Sequence, residues 1–176
     1  MTKGIDLDYI PDSFAGPTDV ASISTFCEWL HRIGNTKVYF DESYVQHMTQ
    51  FNGGIPGKSC FKTNNGRERM ITRFLNFAER DHPLIEYSVE STWSMLSGSR
   101  LGQHLMPFAE LFAGDMLCFE YKAQSQRPRV VIWLHEESSD ESGPVTELVA
   151  ECFDAFLGML YTPTDTSPRN VHRGQA

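Results

Sequence analysis

Between about 20 and 33 the apolar side chains Ile23, Phe26, Cys27, Leu30 and Ile33 recur at helical spacing, and Gly34-Asn35 supplies a stop. A second helix is predicted over about 41–52. Tyr44, Val45, Met48 and Phe51 share one face there, Asp41 or Ser43 caps the start, and Asn52-Gly53-Gly54 ends it. Residues 55–68, with Pro56, Gly57, Asn64, Asn65 and Gly66, read as a loop. From 69 to 103 the pattern is ambiguous: Met70-Ile71 and Phe74-Leu75 suit a strand or a short helix, and 89–96 suits a helix around Trp93.

The C-terminal half is patterned more sharply. Strands are predicted over 105–110, 116–122 and 130–135, with a turn at Ala113-Gly114-Asp115 and a polar loop over 123–128. Val130 to Leu134 are continuously apolar, as in a strand buried on both faces in the middle of a sheet. Connections this short make the strands antiparallel, because parallel neighbours need a longer crossover. Val145, Leu148, Val149, Cys152, Phe153, Phe156, Leu157 and Leu160 then follow i, i+3, i+4, i+7 spacing. Pro144 lies at the first helical position and Glu147 in the first turn, so a long amphipathic helix is predicted. The expected fold is α+β: a central, mainly antiparallel sheet flanked by N-terminal helices and a C-terminal amphipathic helix. An irregular arm over 1–18 precedes a single domain over 19–161, and a polar, flexible tail follows over 162–176.

The chain of 176 residues is long enough to bury a core without staples, and 40% apolar with 22% charged residues fits an ordinary globular domain. The start of the chain carries no apolar segment of a secretory signal, and no apolar run reaches the ~18 residues that span a bilayer. Cys27, Cys60, Cys118 and Cys152 form no CxxC pair and read as free thiols in a reducing compartment, so a cytoplasmic location is expected.

No pattern of residues spells out a catalytic or cofactor site. Gly57-Lys58-Ser59 lacks the glycine five positions earlier that a phosphate-binding loop needs, since Asn52 stands there. His135-Glu136 lacks the second zinc histidine, since Ser139 occupies that position. Gly98-Ser99-Arg100-Leu101-Gly102 places its serine one residue too early for a nucleophile elbow. Any Cys–His pair would have to be assembled by the fold. Neither a metal nor a cofactor is expected.

Charge is more informative. The formal net charge is −8, from 15 Lys and Arg against 23 Asp and Glu, which argues against direct nucleic-acid binding. Between 130 and 168 there is no Lys or Arg, while Glu136, Glu137, Asp140, Glu141, Glu147, Glu151, Asp154 and Asp165 all lie there. The rest of the chain is balanced. Lys58, Lys62, Arg67, Arg69, Arg73 and Arg80 form a basic stretch suited to a solvated loop or to internal salt bridges. Either the acidic stretch is a solvated loop and helix face, or it docks a basic protein. Glu136, Glu137, Asp140 and Glu141 are the candidate contact residues, chosen on charge alone.

The order of Asn52-Gly53-Gly54-Ile55-Pro56, Met106 to Ala109 with Gly114 to Tyr121, Pro128 to Glu136 and Val149 to Leu157 resembles that of the SUKH superfamily of bacterial toxin-immunity proteins and fungal cell-wall-assembly regulators. Asn52-Gly53-Gly54-Ile55-Pro56 is similar to its NGG-x-P signature. Met106-Pro107-Phe108-Ala109 with Gly114-Asp115-Met116-Leu117-Cys118-Phe119-Glu120-Tyr121 is similar to its strand pair. Pro128 to Glu136 is similar to its P-x-V-h-h-W-x-HE strand, and Val149 to Leu157 to its closing helix. The likeness runs over roughly 20–161 and is poorest over 60–100. It implies a non-catalytic binding protein: an immunity protein that neutralises a basic toxin, a nuclease first among them. The alternatives are a scaffold or regulatory module without a toxin partner and, more remotely, a small hydrolase.

Overall fold

The computed structural model describes residues 5–35, 38–98, 100–122 and 127–164. The expected tail from 165 onward, most of the loop expected over 123–128, and Ser99 lie outside them. In chain order the elements are α1 (Val20–Arg32), α2 (Glu42–Gln50), β1 (Cys60–Lys62), β2 (Glu68–Phe74), α3 (Val89–Leu96), β3 (Leu105–Leu111), β4 (Met116–Glu120), β5 (Arg129–Trp133), β6 (Thr146–Ala150) and α4 (Phe153–Leu157). The six strands form one sheet in sequential order, and every neighbouring pair is antiparallel. The fold is therefore α+β as expected.

Both N-terminal helices form where the apolar spacing places them. Asp19 caps α1 by accepting from the Ser22 amide at 2.8 Å, and Ile23, Phe26 and Leu30 face inward. Asp41 caps α2 by accepting from the Tyr44 amide at 3.1 Å; Ser43 donates to that same carboxylate. Within the stretch read as a loop over 55–68, Cys60–Lys62 pairs with Met70–Glu68 as an antiparallel hairpin. The far edge of β1 meets Tyr161 in an isolated bridge, and Asn64 at the hairpin tip donates to the Leu148 carbonyl of β6. The sheet thus curls until its first strand approaches its last.

The C-terminal helix is present but far shorter than predicted. Only Phe153–Leu157 are helical, while Thr146–Ala150 form the outermost strand. The register shifts opposite Val130 and Val131, so Val149 is an extra residue on β6. A bulge of this kind breaks the two-residue alternation. Val149 and Ala150 are both buried, followed by Phe153, Phe156 and Leu157. The resulting spacing imitates one helical face, whereas the backbone pairs with β5. Glu136, Glu137, Asp140 and Glu141 consequently lie between the last two strands, Glu147 on β6 itself, and Glu151 and Asp154 beyond it.

The core is aromatic. Phe108 of β3 stacks on Phe119 of β4 with centroids 4.4 Å apart, and Tyr44 of α2 meets Phe119 at 4.9 Å and Phe153 of α4 at 5.2 Å. The N-terminal arm packs against this body, with Leu7 fully buried. Asn52 ties the arm to the segment after β2 by two side-chain bonds: its Nδ2 donates to the Gly16 carbonyl of the arm and its Oδ1 accepts from the Phe77 amide. Gly54 has φ of +102°, and a Cβ there would lie 2.9 Å from the Phe14 ring. The Asn-Gly-Gly motif is therefore a clamp between arm, α2 and β2.

His47 sits under this clamp, only 2% exposed, among the rings of Phe51, Phe74 and Phe153. Its Nε2 lies 2.7 Å from the Tyr9 hydroxyl, and burial pushes its pKa down to about 4. The unfolded chain therefore takes up this proton first, so stability present above pH ~6.5 falls as the pH drops toward 4. The expected loss from this group between pH 7 and pH 5 is about 2 kcal/mol. Urea unfolding at both pH values checks it: His47→Phe should lose about that much less than the natural chain over the same interval.

Candidate functional site

Glu136, Glu137, Asp140 and Glu141 are all exposed, and all four stand on the connection from β5 to β6. The loop is held firmly for a surface segment. Buried Ser138 donates from Oγ to the Leu134 carbonyl at 2.7 Å and accepts from the Val145 amide at 2.9 Å. Ser139 and Gly143 exchange backbone hydrogen bonds across the tip. Arg100, which precedes β3, donates to the His135 carbonyl at 2.9 Å.

The root of the loop is tied to the β3–β4 turn. Asp115 Oδ1 accepts from both the backbone amide and Nδ1 of His135, at 3.0 and 2.9 Å. Its Oδ2 accepts from Arg69 of β2. Burial pushes the Asp115 carboxyl up, but the bonds from Arg69 and His135 together outweigh that and hold it below its usual value. Gly114, at φ +90°, lies against the His135 ring: a Cβ there would sit 3.3 Å from Cε1. Two stretches that carry the sequence resemblance, Gly114-Asp115 and His135-Glu136, are thus one structural joint.

A cleft of about 200 Å³ opens at this joint, lined by Arg67 and Arg69 as well as by Glu136 and Glu137. Arg69 is already paired with Asp115, while Arg67 is exposed. The basic stretch therefore does reach the acidic loop and offsets part of its charge. The rest of that stretch is partly tied down. Lys58 pairs with Asp8 at 3.3 Å, and Arg73 donates to the Ser13 carbonyl and lies 4.6 Å over the Tyr87 ring.

Cys118 is fully buried in β4, and burial raises its thiol well above the usual range; burial likewise lifts Cys27 to about 11. All four cysteines are free. Thiols held protonated are poor nucleophiles, and the pairing of His135 is with Asp115. Among the described residues no group of three His, Cys, Asp or Glu is placed to hold a metal ion. No helix among them is long and apolar enough to cross a membrane.

Charge alone singles out the loop as a candidate in the sequence, where its supports are not visible. Asp115 and Arg69 come from turns and strands 20 and 46 residues distant from their partners. Comparison with curated proteins and with solved structures gives no match. A family model described as SMI1-KNR4 cell-wall matches residues 34–157, which span α2 through α4 and contain the whole Asp115–His135 joint. The chain belongs to this SMI1-KNR4 family of the SUKH superfamily.

Proposed function

We propose that this protein is a non-catalytic, cytoplasmic immunity protein that neutralises a basic toxin domain by direct binding, with the β5–β6 loop as its contact. The observation that carries the reading is the loop itself: four exposed carboxylates on a connection anchored by Ser138, Arg100 and the Asp115–His135 joint. A nuclease needs a basic surface to hold phosphates. A rigid acidic loop imitates those phosphates, speeds encounter and covers the site. Because the loop is already ordered, little conformational freedom is lost on docking. The protonated thiols support the non-catalytic part of the reading.

The test reads the flanking genes for a toxin with a basic C-terminal domain, whose absence would count against the reading, and co-expresses that domain with this chain. The natural chain should co-purify with that domain and restore growth. The variant Glu136→Gln, Glu137→Gln, Asp140→Asn, Glu141→Gln should bind about 10- to 100-fold more weakly at physiological salt, given the modest contribution of each exposed charge. Equal rescue by both would remove the loop from the interface.

A further inference from the structure

Resting on the reading above, we infer that Phe112, seconded by Met70, is the apolar anchor of the same interface and inserts into a pocket on the basic partner. Phe112 is 67% exposed and Met70 37% exposed, the former the more unusual for a phenylalanine. They are cross-strand neighbours. Ile71 pairs with Leu111 and both are buried, so the next pair, Met70 and Phe112, turns to the outer face. The Phe112 amide donates to the Met70 carbonyl at 2.9 Å, which fixes the pair.

The position of Phe112 is built rather than incidental. It opens the β3–β4 turn, where Ala113 adopts φ of +74°, a conformation costly for any residue with a Cβ. The turn is closed by the Leu111 amide donating to the Asp115 carbonyl at 2.9 Å. Asp115 in turn grips His135 at the root of the acidic loop. The anchor and the carboxylates therefore belong to one rigid unit, with Ala113, Glu136 and Glu137 all on the rim of the same cleft.

Charge decides what occupies it. The carboxylates call for lysines and arginines around the partner's pocket, and exposed charges chiefly accelerate encounter. Arg67, which lines the same cleft, opposes a cationic partner. Long residence then requires a desolvated apolar contact inside the ring of charges, and an aromatic side chain with few rotatable bonds supplies it at small entropic cost.

The experiment measures binding kinetics of the basic toxin domain identified among the flanking genes against the natural protein, Phe112→Ala, Phe112→Leu and the four-site neutral loop variant. Phe112→Ala should weaken binding about 30-fold or more, mainly through faster dissociation and equally at low and high salt. Phe112→Leu should retain most of the affinity. The thermal midpoint should not change, because the ring is exposed. If Phe112→Ala binds within about twofold of the natural chain while the neutral loop variant is weakened, the anchor is wrong and the immunity reading stands. If the natural chain does not bind the domain at all, both fall. If the natural chain is a dimer and Phe112→Ala a monomer by sedimentation, the patch covers a second copy and the inference is overturned.

Discussion

Replacing Phe153 by alanine is expected to destabilise the protein by about 4 kcal/mol, the range for deleting a large aromatic ring from a closed core. Phe153 is fully buried at the start of α4. Its ring meets Tyr44 at 5.2 Å, His47 at 5.5 Å, Phe108 at 5.7 Å and Phe119 at 5.9 Å. It is thus where the helical layer, the sheet and the arm clamp converge. The neighbours are aromatic and held in edge-to-face contacts, so they close only partly over the lost ring. Since whole domains of this size are stable by ~5–15 kcal/mol, the loss is a large share. Chemical denaturation should show a lower midpoint with an unchanged slope. Phe153→Leu, which keeps most of the volume, should lose less than half as much.

The second large effect is expected from Asp115→Ala, at about 3 kcal/mol. Arg69 and Asp115 are each only 13% exposed in their side chains, so removing the carboxylate strands a partly buried guanidinium. It also deprives the His135 amide and Nδ1 of their acceptor. Asp115→Asn, which retains one acceptor oxygen, should lose less. Hydrogen exchange separates this change from a general loss of stability. In Asp115→Ala the amides of His135 and Ser138 should exchange much faster under conditions where the core strands stay protected. Binding of the basic domain should fall as well, since a loosened loop has to be ordered on docking.

The legible and illegible parts of this molecule differ in where their determinants lie. The helices α1 and α2 and the strands β3, β4 and β5 are written locally, as apolar periods closed by caps or by the Ala113-Gly114 turn. The strand β6 is not, because its state is set by pairing with β5 and its bulge counterfeits a helical face. The short β1 and the alternating charges of β2 carry too little apolar pattern to separate strand from loop. At the site, a run of carboxylates without a cation is visible in one dimension. The joint that aims it is not, because Arg69, Asp115 and His135 meet only after four strands have paired. Phe112 is not marked in the sequence for a related reason: its exposure follows from the register of β2 on β3.

The central claim is that the acidic β5–β6 loop carries the electrostatic part of binding to a basic toxin domain. The most direct measurement is the dissociation constant for a basic toxin domain identified among the flanking genes, taken from ~50 to ~500 mM salt, for the natural protein and for the variant neutral at 136, 137, 140 and 141. The natural protein should bind far more tightly at low salt, with a steep salt dependence. The neutral variant should show a flatter line, and the two should converge as salt rises. Parallel lines, with the variant as salt-sensitive as the natural chain, would contradict it.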